Sequence, residues 1–186
     1  MDQPRLPAVV PTPRLDLVSL DPDVLEAAGR GGDPFTDRFG WLNPDGLLVG
    51  DEAPLCAHFA RRVLDDPRHD SWLARAMVDR RTATIVGHIG CHYAPDDSGA
   101  VEIGYTVAPS RRRLGVGTEA VSGLVGAAAA TGAVSTVRAS VAPDNEASLG
   151  LLGRLGFVRV GERPDGRGAD LWVLERTVAG GSVSPR

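Results

Sequence analysis

The chain of 186 residues contains no lysine; all 20 of its basic residues are arginines. With abundant Ala, Gly and Pro, this usage points to a GC-rich coding sequence. There is no basic excess either. The formal net charge is −4, which argues against a general nucleic-acid binder, since those carry a basic face. Cysteine is scarce. Cys56 and Cys91 stand alone, without CxxC spacing, and suggest neither a disulfide framework nor a thiolate metal site. No apolar run reaches transmembrane length, and Met1 to Pro13 has prolines where a signal peptide needs an apolar core. The expected location is the cytoplasm, with no membrane partner. No internal repeat is visible.

What is present suits one well-buried core, with too little chain for two full domains. Residues 1–12 hold three prolines and little pattern, and read as a flexible N-terminal arm. Residues 13–177 read as a single domain, and 178–186 as a flexible tail. Leu15, Leu17 and Leu20 suggest a first strand, and Asp21-Pro22 opens a short helix through Ala28. Gly29 to Gly50 reads as a long loop anchored by Phe35, Phe39 and Trp41. Glu52 to Asp65 reads as a helix with Leu55, Phe59, Val63 and Leu64 on one side. Two strands follow, over 72–78 and 83–93, with Gly87 and Gly90 marking a bulge or a close backbone approach. A third holds Val101 to Val107. A long helix to Thr131, a strand over 135–141, a helix over 145–155 stopped by Gly156, and a closing hairpin complete the chain. The order gives an α/β domain with a mixed sheet.

The most informative stretch is Arg111-Arg112-Arg113-Leu114-Gly115-Val116-Gly117-Thr118. It leaves an apolar strand and opens a helix. The first helical turn offers unpaired N–H groups and a partial positive charge, so glycines and arginines there suit a phosphate or pyrophosphate. Thirty residues on come Asn145-Glu146-Ala147-Ser148 and then Leu155-Gly156-Phe157. A basic loop and two capped helices would look the same one at a time. Gly115-x-Gly117-x-x-Ala120 also fits an NADP-type dinucleotide fingerprint. However, Pro109 to Leu114 separate its first glycine from the strand, and Arg138 stands where an acidic residue is usual for NAD.

Taken together, Arg112-x-x-Gly115-x-Gly117, Glu102-Ile103-Gly104-Tyr105 and Asn145-x-x-Ser148 resemble the GNAT superfamily of acyl-CoA N-acyltransferases, within it the RimJ/RimL-type subgroup. The resemblance is tight over about residues 70–176. It implies a mostly antiparallel sheet flanked by helices, whose central strands, ending at Val107 and Val141, splay to hold acetyl-CoA. It implies transfer of an acetyl group to a primary amine, on a protein N-terminus or a small molecule. A non-catalytic acyl-CoA-binding module and an NADP-binding oxidoreductase are the alternatives. The expected partners are the amine acceptor and, as a homodimer, a second copy of the chain. Without lysine, side-chain self-acetylation has no target.

The resemblance assigns roles residue by residue. Thr106, Val107, Arg112, Arg113, Leu114, Gly115, Val116, Gly117, Thr118 and Asn145 are the expected acetyl-CoA contacts, mainly through backbone N–H groups, with Arg111 and Arg154 as candidates for the 3′-phosphate. Glu102 is the expected general base, with Gly104 leaving space beside it. Read from its pattern alone, it is a solvent-facing residue of a half-exposed strand. Ser148 is the candidate proton donor to the leaving thiolate, or else a capping residue. Many family members carry a tyrosine four residues before the glycine of Gly-Phe; here that place is Leu152. His88 and His92 lie about 13 Å apart on a strand, too far to share an ion, and no metal is expected. Asp33, Asp37, Asp45, Asp51 and Glu52 either attract a cationic acceptor or form a solvated acidic surface.

Overall fold

Alternating apolar residues dictate the strands, and the sheet they form positions the site. The computed structural model of the chain describes residues 4–166 and 168–178. Among these, eight strands make one sheet: β1 (Val9–Pro11), β2 (Leu15–Ser19), β3 (Ala74–Asp79), β4 (Thr84–Cys91), β5 (Ala100–Val107), β6 (Thr136–Val141), β7 (Val158–Pro164) and β8 (Asp170–Thr177). The spatial order is β1-β2-β3-β4-β5-β6-β8-β7. Every neighbouring pair is antiparallel except β5 and β6. The helices are α1 (Pro22–Gly29), α2 (Pro34–Phe39), α3 (Ala53–Asp65), α4 (Val116–Ala130) and α5 (Glu146–Arg154). Helix α4 is the crossover that two parallel neighbours require. The mixed, mostly antiparallel α/β sheet is the one expected.

Two apolar clusters take alternate residues of β3, Met77 in one and Ala76 and Val78 in the other. Val121, Leu124 and Val125 of α4 and Leu152 of α5 belong to the first cluster. Leu25 of α1, Phe35 of α2 and Cys56 and Ala60 of α3 belong to the second. Strands β5 and β6 pair only at Ala100↔Thr136, Val101↔Val137 and Glu102↔Arg138. From Ile103 to Val107, β5 has no partner on that side. This is the expected splay. No helix among the described residues is long and apolar enough to cross a membrane.

Four expectations need correction. The N-terminal arm is ordered from residue 4: β1 pairs with β2, and Leu6 and Val10 are buried. The cause is distant in sequence. Fully buried Arg75 donates to the carbonyls of Pro7, Leu17 and Ser71, and Trp72 Nε1 donates to Pro4. Burial lowers the Arg75 pKa to about 10. The 29–50 loop contains α2, whose N-cap Asp33 accepts from the Phe35 and Thr36 N–H groups and which Gly40 ends in the left-handed conformation. Helix α3 buries Cys56, Ala60 and Val63, while Leu64 faces solvent. Small residues win because α1 crosses closely: a Cβ on Gly29 would lie 2.9 Å from the Ala57 nitrogen. Of the expected tail, Val178 is buried and donates to the Ser135 carbonyl. Residues 179–186 lie outside the described residues.

Candidate active site

The splay of β5 from β6 opens a cleft of about 1130 Å³ between the end of β5, the arginine loop and the starts of α4 and α5. Arg113 and Gly115 adopt left-handed conformations, with φ of 63° and 78°. These two reversals bring the chain tightly into α4. No side chain caps that helix, so the N–H groups of Val116, Gly117 and Thr118, ahead of the first helical bond from Glu119 to Gly115, are open to an acceptor from outside the chain. Glu119, also in the first turn, is occupied elsewhere, accepting from Thr12 and from Arg14. Thr106, Val107, Arg112, Arg113, Gly115, Val116, Gly117, Thr118 and Asn145 all line the cleft, as do Arg111 and Arg154. Leu114 departs from the expectation. Its side chain is exposed, its carbonyl accepts from Arg14, and it is not part of the cleft wall.

Gly117 has a second reason to be glycine. A Cβ there would lie 2.9 Å from Leu151 Cδ1 and 3.4 Å from Val107 Cγ2. A side chain at 117 therefore crowds the seam between β5, α4 and α5 as well as any ligand.

At the start of α5 it is Asn145, not Ser148, that caps: Asn145 Oδ1 accepts from the Ser148 N–H at 3.1 Å. The Ser148 side chain lines the cleft. Beside it lies the buried Tyr105 hydroxyl, without a well-formed hydrogen bond. Burial pushes the Tyr105 pKa up, and Ser148 draws it part of the way back. Leu152 is fully buried in the core, so here the place of the family tyrosine faces away from the cleft.

Glu102 is buried, not solvent-facing. Arg163 of β7 donates to its Oε1 at 2.7 Å, and the Tyr93 hydroxyl lies 3.5 Å from Oε2. His92 Nδ1 is 3.8 Å from Oε1. The space that Gly104 leaves is taken by His92, whose Nε2 lies 2.8 Å from where a Gly104 Cβ would stand. Glu102 is not part of the cleft wall. His88 instead meets Glu52, 3.4 Å from Oε2, which chiefly through that contact holds the Glu52 carboxyl below its usual range. Several members of the acidic loop are likewise engaged: Asp33 caps α2, and Asp45 accepts from the Ser110 hydroxyl. Among the described residues no cluster of three or more His, Cys, Asp or Glu side chains could hold a metal ion.

The acetyltransferase (GNAT) domain family matches residues 18–158. The chain belongs to the GNAT acetyltransferase family. A relative from Bacillus subtilis, described as the uncharacterized N-acetyltransferase YjdG, is 29% identical over 153 residues, covering 79% of this chain and 88% of the relative. The fold is shared with a GNAT-family acetyltransferase from Bacillus anthracis at a TM-score of 0.63 and 17% identity, covering 91% and 98% of the two chains. It is shared also with Mycobacterium smegmatis RimJ, solved in complex with CoA-disulfide, at a TM-score of 0.60 and 20% identity over 93% and 84%.

The enzyme is thus an acyl-CoA N-acyltransferase, with acetyl-CoA as its expected donor, and the oxidoreductase and non-catalytic readings fall away. The dinucleotide fingerprint arose because β5–α4–β6 is the sheet's only parallel crossover among the described residues, with glycines at its turn. Sequence reading missed Arg163 and the cleft-side Tyr105. Arg163 lies on an edge hairpin with no local signal. Tyr105 alternates with Glu102 and so read as core. In this acetyltransferase the splay exposes that face of β5 to the cleft.

Proposed function

We propose that the enzyme transfers the acetyl group of acetyl-CoA to a primary amine by direct attack within a ternary complex, the amine being a protein N-terminus or a small molecule. The observation that carries this reading is the uncapped start of α4, opening on a cleft between splayed strands. The pyrophosphate meets N–H groups of residues 112–118, with the Thr118 hydroxyl as a further donor. A covalent acetyl-enzyme is disfavoured by the thiols. Cys56 and Cys91 are buried outside the cleft, and burial pushes each up to about 12, leaving almost no thiolate near neutral pH. The RimJ likeness in fold, together with Asn145-x-x-Ser148, supports an N-terminal amine as acceptor.

Three proton and charge shifts accompany transfer: the amine loses a proton, the carbonyl oxygen becomes anionic, and the thiolate is protonated as it leaves. Ser148 is the donor to the thiolate, with the Tyr105 hydroxyl behind it as the next proton-bearing group. A screen of acetyl-CoA consumption over N-terminal peptides, polyamines and aminoglycosides tests the reading. Ser148→Ala should slow transfer by ~10²-fold or less with cofactor binding retained, since a thiolate is itself a fair leaving group. Leu152→Tyr should not restore it. A tyrosine there overpacks the core, destabilising by about 1–3 kcal/mol. Wild-type transfer in Ser148→Ala leaves solvent water as the proton source.

A further inference from the structure

We infer that His92 takes the proton from the acceptor amine, and that Glu102 is a positioning residue behind it. This rests on the acetyl-transfer reading above. Reach decides the first point. The Glu102 side chain is 3% exposed and its Oε1 is already held by Arg163 at 2.7 Å, whereas the His92 side chain is 43% exposed. An amine arriving from solvent meets the imidazole before the carboxylate.

Position decides the second. Along one face of β5 come Glu102, Gly104 and Thr106, and only Thr106 lines the cleft. At ~3.3 Å per residue, Glu102 lies about 13 Å along the strand from Thr106. The missing side chain at Gly104 leaves that interval bare, and the His92 Nε2 fills it. With Nδ1 turned to Glu102, Nε2 is the nitrogen over Gly104, whose next neighbour on this strand face is Thr106 of the cleft wall. The pairing of β4 with β5 holds this arrangement: the His92 N–H donates to the Glu102 carbonyl at 2.7 Å.

The electrostatics are compatible with a base. Burial of the ring lowers the His92 pKa from its ordinary value. Glu102 on β5 opposes that, while Arg163 on β7 and Arg62 and His58 on α3 push the same way as burial. The ring is therefore neutral near pH 7 and able to accept. In the step, R–NH3⁺ gives one proton to Nε2, and the amine nitrogen then forms a C–N bond to the acetyl carbon. The C–S bond breaks and the sulfur leaves as thiolate, taking its proton through Ser148; the nitrogen sheds its second proton on becoming an amide, which replaces the one given to sulfur, and the proton on His92 passes to solvent.

The test has two arms. NMR titration of the His92 imidazole should show its midpoint falling in Glu102→Gln and rising in Arg163→Ala, because the two groups act on it with opposite sign. A midpoint unmoved in both variants overturns the positioning role. In the kinetic arm, the probe is the fastest acceptor of the amine panel, or water in slow acetyl-CoA hydrolysis if none is acetylated. His92→Gln should lower kcat/KM by ~10²–10⁴-fold at pH 7, with the gap narrowing as pH rises and acetyl-CoA affinity unchanged. Gly104→Ala, which keeps both side chains but displaces the ring, should reproduce much of that loss. Its folding does not depend on the Glu102–Arg163 pair. A His92→Gln enzyme at wild-type rate beside an inactive Glu102→Gln enzyme makes Glu102 the direct base and overturns the inference, leaving acetyl transfer standing. Failure of the wild type to bind acetyl-CoA strikes the underlying reading instead.

Discussion

The proposed cofactor half of the site comes almost whole from two short runs of chain, 105–118 and 145–154, whereas the proposed acceptor half is assembled from β4, β5 and β7. In the first, helix starts do the work, with left-handed turns at Arg113 and Gly115 before α4 and an Asn145 cap on α5, each made by residues within a few positions of the helix that it opens. In the second, a buried carboxylate meets an arginine 61 residues away in sequence. Local construction makes the cofactor half rigid and legible. Distant construction makes the acceptor half adjustable, since one substitution on the exposed edge strand β7 alters the charge around His92.

That contrast predicts different failures. Arg163→Ala should do the most harm to stability, since it leaves a buried carboxylate without its arginine; breaking a buried pair from one side costs about 3 kcal/mol, here less because Arg163 is itself half exposed. Urea denaturation should show the loss while calorimetry finds acetyl-CoA affinity unchanged. An affinity loss as large as the stability loss would mean that the halves are not separate.

Gly117→Val should strike the other half. The added side chain stands at the uncapped helix start where the backbone is proposed to meet the pyrophosphate, so acetyl-CoA affinity should fall roughly 10–100-fold, about 1.4–2.7 kcal/mol, read by calorimetry. Gly126→Ala is the control on the same helix. A Cβ there meets nothing within 4 Å, so it should raise stability by about 0.5–1 kcal/mol and leave affinity alone. Equal binding by Gly117→Val and wild type would remove the arginine loop from the cofactor site.

Asn145→Ala should have a smaller effect, about 1 kcal/mol of stability from the lost cap. Because the cap also sets the first turn that carries Ser148, transfer should slow slightly more than binding weakens. A pure stability loss, with kinetics untouched, would confine Asn145 to capping.

The sequence by itself determined the helix starts, the glycine-marked turns and the family of the chain, because caps, left-handed glycines and short-range periodicity are properties of neighbouring residues. The residues it marked as candidate cofactor contacts line one cleft, except Leu114, whose carbonyl is drawn to Arg14 from a hundred residues away. It missed α2 although Asp33-Pro34 and Gly40 were legible as cap and stop, because the intervening composition outweighed them. Tertiary structure alone decided the rest. It ordered the N-terminal segment through Arg75. It turned Leu152 into the core, and it buried Glu102 against Arg163 while laying His92 over Gly104. Each of these depends on which strands become neighbours, and a buried charge takes its meaning from the partner that the sheet brings to it.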